Sequence, residues 1–438
     1  MRGTTPTLGK RRPSGRVVAL VASLCLARAS IAVEPPPPVE EMLTLDRLLD
    51  LAAAGHPDLG VARARVEAAR GRMVQAGLRL NPVVSIGDEE INNPFGRAGK
   101  LYVNFSQEII TANKRRLAAA AAEQGIVAAD WQAVTRWYDL TVRVRSAYYE
   151  VLTAWRDVKT NEAAVKLAVQ GLQAAEKLEK AGAGTRPDVL RAEVQRDQAR
   201  ARLDVSRRRF DAAGRLLAAA VGVPHLPGTS LEGTLEAAVP DYDWPSLLGT
   251  VLSRSSEVQE AQALVSEAEG NLRLAIAQRK PNVTVQVRPL YSYPDQTFEP
   301  MIQVGAPIPI YNRNQGNILT ARAEVVRTEE QVRQVELRLT ERLAGSYQRY
   351  QAAREQREAY EKRVLPKARE SLRLVTIGYE RGDPKYDFTA VLQAQTTLVQ
   401  AQLTYVQVLG EVWRAVAEIK GLIQDEPPPA GTTGPACH

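Results

Sequence analysis

Shifting the sequence by 199 positions lays it over itself: Gly71 falls on Gly270, Pro82 on Pro281, Asn113 on Asn312, Tyr148 on Tyr347 and Gly222 on Gly421. Local matches agree, Asn81-Pro82-Val83-Val84-Ser85-Ile86 meeting Lys280-Pro281-Asn282-Val283-Thr284-Val285. Farther on, Val189-Leu190-Arg191-Ala192-Glu193 meets Val391-Leu392-Gln393-Ala394-Gln395 at an offset of 202, which requires a three-residue insertion. Two structural repeats are therefore expected, at 43–240 and 241–423. The chain must fold as two versions of one plan.

Within each repeat the hydrophobic period changes in the same order. Residues 56 to about 80 read as a helix that Pro82 ends. The period then drops to two: Leu101, Val103 and Phe105 alternate with Tyr102, Asn104 and Ser106, and Val283, Val285 and Val287 with Thr284, Gln286 and Arg288. Four strands of about nine residues are predicted, in hairpins at 83–109 and 283–310. Stretches poor in Pro and Gly follow, from about 113 to 180 and from about 315 to 377. At 1.5 Å per residue each is a helix of about 100 Å. Ile318, Val325, Val332 and Leu339 recur every seven residues, with Ile126 and Leu140 at the equivalent places, which points to coiled-coil packing. Breaks at Gly182 and Gly184, and at Gly378 and Gly382, precede a returning helix in each repeat.

Nine alternating residues suit a transmembrane strand, which needs about 9–11. Such strands must close into a barrel, because hydrocarbon satisfies no open edge. Single-chain barrels use about eight strands at the least. Four cannot close, so several chains would share one barrel, and three would supply twelve strands. Leu101, Val103, Phe105, Val283, Val285 and Val287 would then face lipid. Tyr102, Asn104, Ser106, Thr284, Gln286 and Arg288 would line a water-filled lumen. The alternative is two small soluble hairpins packed on helices.

The N-terminus fits export. A basic stretch, the apolar run 17–27 and small residues ending at Ala32 make a secretory signal peptide over 1–32, too short in its apolar part to span a bilayer. Lipidation at Cys25 would place the bulky Leu24 where a small residue is expected. A Pro-rich linker at 33–42 and a disordered tail at 424–438 flank the repeats. The formal charge of +7 invites nucleic acid, but Arg2, Lys10, Arg11, Arg12, Arg16 and Arg28 lie in the leader, and 51 basic against 50 acidic residues remain. No global field is left to recruit phosphate backbones, so no nucleic-acid partner is expected. Beyond residue 33 no run of 18 apolar residues occurs. The histidines 56, 225 and 438 and the cysteines 25 and 437 form no metal spacing. No nucleophile–base pair or phosphate-cradling glycine motif is present, so neither enzyme nor cofactor is expected.

The order of leader, helix, hairpin, long helix, glycine-broken turn and returning helix, repeated, resembles the TolC-type outer-membrane efflux proteins. Gly305-Ala306-Pro307-Ile308-Pro309-Ile310-Tyr311-Asn312-Arg313-Asn314-Gln315-Gly316 is similar to a strand-to-helix junction in the heavy-metal and cation-efflux branch, and Gln107–Arg115 to the family's first junction. The resemblance covers about 43–423. It implies a mainly α fold with a small β part: a homotrimer with a 12-stranded transmembrane β-barrel in the outer membrane and a 12-helix periplasmic tunnel. A periplasmic adaptor protein, an inner-membrane pump and outer-membrane lipid are the implied partners. The implied function is a passive exit duct for metal cations or small toxic compounds. A type I protein-secretion duct and a soluble periplasmic coiled-coil scaffold are the alternatives. The tip at Gly182, Gly184, Thr185, Arg186, Asp188, Gly378, Gly382, Asp383 and Asp387 is expected to dock the adaptor and to constrict the resting channel. Acidic residues that narrow the entrance in the best-known member are replaced here by Ala390 and Gln393, and the three aspartates serve either as a gate or as helix caps.

Overall fold

Each long helix here is entered through an asparagine in the left-handed region: Asn113 (φ 56°) and Asn314 (φ 62°) sit at the N-caps of the helices Lys114–Lys180 and Gln315–Ala359. Asparagine tolerates that backbone better than most residues. The counterpart of Asn113 is therefore Asn314, not Asn312. Likewise the left-handed caps that close the returning helices are Gly222 and Gln424, and Gly421 lies inside the last helix.

The computed structural model describes residues 43–89, 99–226, 231–381, 383 and 385–428. The expected signal peptide and linker, the first hairpin loop, Gly382 and the tail from 429 lie outside the described residues. Contacts separate Met1–Glu41 from Met42–His438, and all the described helices and strands belong to the second unit.

The first half runs α1 (Leu45–Gly55), α2 (Pro57–Gly77), β1 (Val83–Glu89), β2 (Lys100–Ile109), α3 (Lys114–Lys180) and α4 (Arg186–Val221). The second runs α5 (Trp244–Arg254), α6 (Ser256–Ala277), β3 (Val283–Ser292), β4 (Thr297–Gly305), α7 (Gln315–Ala359), a π-helical turn (Tyr360–Val364), α8 (Leu365–Glu380) and α9 (Phe388–Ile423). Periodicity does not reveal the short helices α1 and α5, yet their caps are in the sequence. Thr44 Oγ1 accepts from Arg47 N at 3.3 Å, and Asp243 Oδ2 from Ser246 N at 3.2 Å, just ahead of Pro245.

The two hairpins join in one antiparallel sheet of order β1-β2-β3-β4. Its central ladder pairs Tyr102 with Leu290 and Phe105 with Val287 but lapses at Val103 and Asn104. Those residues lie opposite Pro289 and Arg288, and proline has no N–H to donate.

The core is organised around α3, which packs on α2, α4, α6 and α9. Leu140, Val144, Leu217, Leu343, Leu409 and Ile419 are fully buried there. The connector after residue 231 is fixed to this core: Trp413 Nε1 donates to Leu235 O at 2.9 Å and Tyr350 OH to Pro240 O at 2.6 Å. The first residues of the expected free tail are also held, because Glu426 is the counter-charge to the buried Arg145 and its carbonyl accepts from Tyr138 OH at 2.8 Å. Where α6 crosses α3, a Cβ on Gly270 would lie 3.0 Å from Ala121 Cα. Backbone must move to admit it. Gly270→Leu is expected to cost about 1–3 kcal/mol, read as a fall in thermal midpoint.

The second long helix departs from the single rod expected over 315–377. Pro366 offers no N–H, and its ring would strike the carbonyl of Lys362 in a regular helix. The π turn just before it absorbs that conflict. Along α7 the buried stripe runs Val335, Leu339, Leu343, Ser346, Tyr350 and Ala353. Continued at the same spacing it would reach Val364 and Lys367. Instead Leu365 and Ala368 are buried and Val364 is exposed, so the stripe has skipped by one residue.

His56 links α1 to α2, its Nδ1 accepting from Asp58 N at 3.1 Å. Burial lowers its pKa below 6.5, a shift that nearby Asp58 opposes and Arg143 reinforces. The unfolded chain therefore binds the proton more readily, and stability falls as pH drops below about 6.5. The thermal midpoint should decline from about pH 7.5 to pH 5.5, and His56→Asn, which can still cap α2, should reduce that decline. An identical pH profile in the variant would remove His56 from the effect.

Candidate functional site

Directly paired residues in an antiparallel sheet project to the same side. One side carries the rows Val84–Phe105–Val287–Ile302 and Leu101–Tyr291–Phe298, with Val103, Val283 and Val285 on the same alternation. The other carries Val83–Ser106–Gln286–Gln303, Ser85–Asn104 and Gly87–Tyr102–Leu290–Glu299, together with Thr284 and Arg288. The six polar residues singled out from alternation thus share a face. They also interact: Arg288 Nη1 donates to Glu89 Oε1 at 2.9 Å, and its guanidinium lies 4.4 Å from the centre of the Tyr102 ring. Asn104 Nδ2 reaches Ser85 Oγ at 3.5 Å. Chemically this is a polar hydrogen-bonding surface that holds the Arg288–Glu89 ion pair and a further carboxylate, Glu299. The opposite face is apolar and largely open, Ile302 being 73% exposed. Contiguous apolar surface of this kind marks an interface with protein or lipid.

At the far end of α3 the chain reverses through Gly182 (φ 72°), the left-handed position that favours glycine. Ala183 N and Gly184 N donate to Leu178 O at 2.9 and 3.0 Å, satisfying a carbonyl of the last turn. Thr185 begins α4, and Asp188 Oδ2 accepts from Thr185 N at 3.3 Å and Thr185 Oγ1 at 2.6 Å. In the second repeat Asp387 Oδ1 caps α9 by accepting from Ala390 N at 2.8 Å, and Asp383 Oδ1 accepts from Lys385 N at 3.0 Å. All three aspartates are thus engaged in caps or turns. Gly378 does not break the helix as expected. It lies inside α8, where the Tyr386 ring occupies the space a side chain would need.

The two reversals lie side by side. Phe388 packs with Leu172, Val189 and Ala192, the Tyr379 and Phe388 rings are 5.8 Å apart, and Arg191 Nη1 reaches Thr389 Oγ1 at 3.4 Å. Thr185 and Arg186 are exposed there. Among the described residues no group of His, Cys, Asp and Glu is arranged to hold a metal, and no helix is long and apolar enough to cross a membrane.

The family profile described as Outer membrane efflux protein matches residues 48–223 and again 247–423. The chain is 26% identical over 381 residues to the Cobalt-zinc-cadmium resistance protein CzcC of Cupriavidus metallidurans, covering 87% of this chain and 90% of that protein. Its fold is similar to that of the outer membrane protein VceC of Vibrio cholerae, with a TM-score of 0.71 and 20% identity over 86% of this chain and 95% of that one. CusC, whose crystal structures concern folding and transmembrane channel formation, gives a TM-score of 0.71 at 16% identity over 86% and 91%.

Proposed function

The chain belongs to the outer membrane efflux protein family, whose members are channels and not enzymes, and on that premise we propose that it is the outer-membrane duct of a tripartite efflux system. Three copies close a 12-stranded barrel and continue it as a 12-helix periplasmic tunnel. A periplasmic adaptor and an inner-membrane pump deliver the cargo. The resistance protein CzcC supports divalent metal cations as that cargo.

One observation carries the assembly. Among the described residues α2 and α4 have no contact with α7 or α8, so they border opposite flanks. Both flanks expose large apolar side chains: Val74, Val194 and Val205 on α2 and α4, and Leu337 and Leu374 on α7 and α8. The sheet also ends in two unpaired edges, β1 and β4, which run in opposite directions. A neighbour's β1 would continue the antiparallel alternation beyond β4. This is a head-to-tail contact, which closes into a ring when the rotation allows.

Cysteines at Val194 on α4 and Leu374 on α8, each within three turns of its own reversal, test this in a Cys437→Ser background. The double variant should cross-link into a covalent product that stops at three chains in the outer membrane, and neither single variant should. A soluble monomer would end the reading. Loss of the gene should lower tolerance to cobalt, zinc or cadmium, and unchanged tolerance would remove the metal assignment while leaving the channel.

A further inference from the structure

The charge that is nearly balanced over the exported chain is concentrated in one place. The segments 75–82, 106–119, 276–284 and 305–323, where strands meet helices, contain eight lysines and arginines against one acid, Glu108. That carboxylate is already occupied, accepting from Asn282 Nδ2 at 2.6 Å. Three of the cations, Arg279, Arg313 and Arg322, converge on a single open groove of about 610 Å³ between the end of α6 and the start of α7, and no carboxylate lines it. Among the described residues none of the three has an ion-pair partner, whereas the next arginines along α7 do: Arg327 pairs with Glu324 at 2.5 Å and Arg333 with Glu330 at 2.9 Å. The remaining wall is amphipathic. Ile310 and Leu319 line it, and Tyr311 is 90% exposed. Arginine heads above apolar stems, beside an aromatic ring with a polar tip, suit the boundary between hydrocarbon and water.

We propose that Arg279, Arg313 and Arg322 grip the headgroup phosphate of an anionic phospholipid in the leaflet on the helix side. The assignment rests on the outer-membrane reading, because only a sheet lying in hydrocarbon puts this groove at headgroup depth. Guanidinium groups bind phosphate oxygens through paired N–H donors. Ile310, Tyr311 and Leu319 lie along the first methylenes of the acyl chains. The apolar face of the sheet continues the contact into the bilayer.

The test reconstitutes the full chain in nanodiscs of phosphatidylcholine with or without phosphatidylglycerol, and native mass spectrometry then counts the lipid retained. The wild type should retain phosphatidylglycerol in preference to phosphatidylcholine, with the preference weakening as salt rises. Arg279→Gln, Arg313→Gln and Arg322→Gln should each lower it about fivefold. The triple Arg→Lys variant, which keeps the charge, should retain most of it, and trimer cross-linking verifies that each variant is folded. Equal retention of the two lipids, or a triple Gln variant that binds like wild type, overturns the proposal. Displacement of the lipid by millimolar inorganic phosphate makes this a free-anion site and overturns the lipid assignment. A protein that enters neither bilayer defeats the outer-membrane reading and this one together, whereas insertion without lipid preference defeats this one alone.

Discussion

Arginine at Val287 is expected to remove the protein from the outer membrane. Val287 lies on the central strand β3, between Phe105 and Ile302 on the apolar face. A cation placed there near mid-membrane costs about 2–4 kcal/mol per site. In the proposed trimer each chain would carry the substitution, so the penalty would be incurred three times in one barrel. Gln286→Arg, one residue earlier, projects to the opposite face beside Ser106 and Gln303. There the expected outcome is normal trimer in the membrane with altered single-channel conductance and ion selectivity. Heat-stable trimer in outer-membrane fractions and planar-bilayer recordings read the two effects. Equal tolerance at both positions would mean that the faces do not divide lipid from water.

Glutamate at Arg186 is expected to abolish export while trimer and membrane insertion stay intact. Arg186 is exposed at the first reversal, beside the joined tips, where an adaptor's helical hairpin would pack. The neighbouring Asp188 is a poorer probe, because its charge also holds Thr185 and caps α4. Reversing it would mix a docking effect with about 1 kcal/mol of lost cap. Asp188→Asn keeps an acceptor and isolates the charge. Metal tolerance in cells and cross-linking to the adaptor are the two measurements. Normal export by Arg186→Glu would move docking to the helix flanks or to the connector around 223–245.

Where the sequence is legible, one physical signal dominates. Strict alternation in 101–106 and 283–288 has no competing explanation at that length, and the register puts each set on its own side of the sheet. The heptads of α7 are equally plain from Ile318 to Leu339. Legibility fails where two signals compete. At Asn312 and Asn314 residue identity suggests one alignment and helix capping dictates the other. At Gly378 composition points to a break, but the glycine only makes room for Tyr386. The short helices α1 and α5 have too few turns for periodicity to speak, although Thr44 and Asp243 mark where they begin. The cationic groove is invisible as a site in the sequence because Arg279 and Arg322 lie far apart along the chain and only the fold brings them together.

The π turn at Tyr360–Val364 can also be seen as a reading frame. On its two sides the helical rod is in different frames, and the extra residue is what reconciles them. A single-residue deletion between 361 and 363, combined with Pro366→Ala, should therefore be silent: Leu365 and Ala368 would fall into the frame that Ala353 sets, and the turn would become ordinary helix. The same deletion placed at Arg369 should be disruptive, because it rotates Tyr379 by about 100° away from Phe388 of α9. Tolerance to insertion and deletion along this rod is thus concentrated at one point, where the chain can change length without repacking the helices on either side.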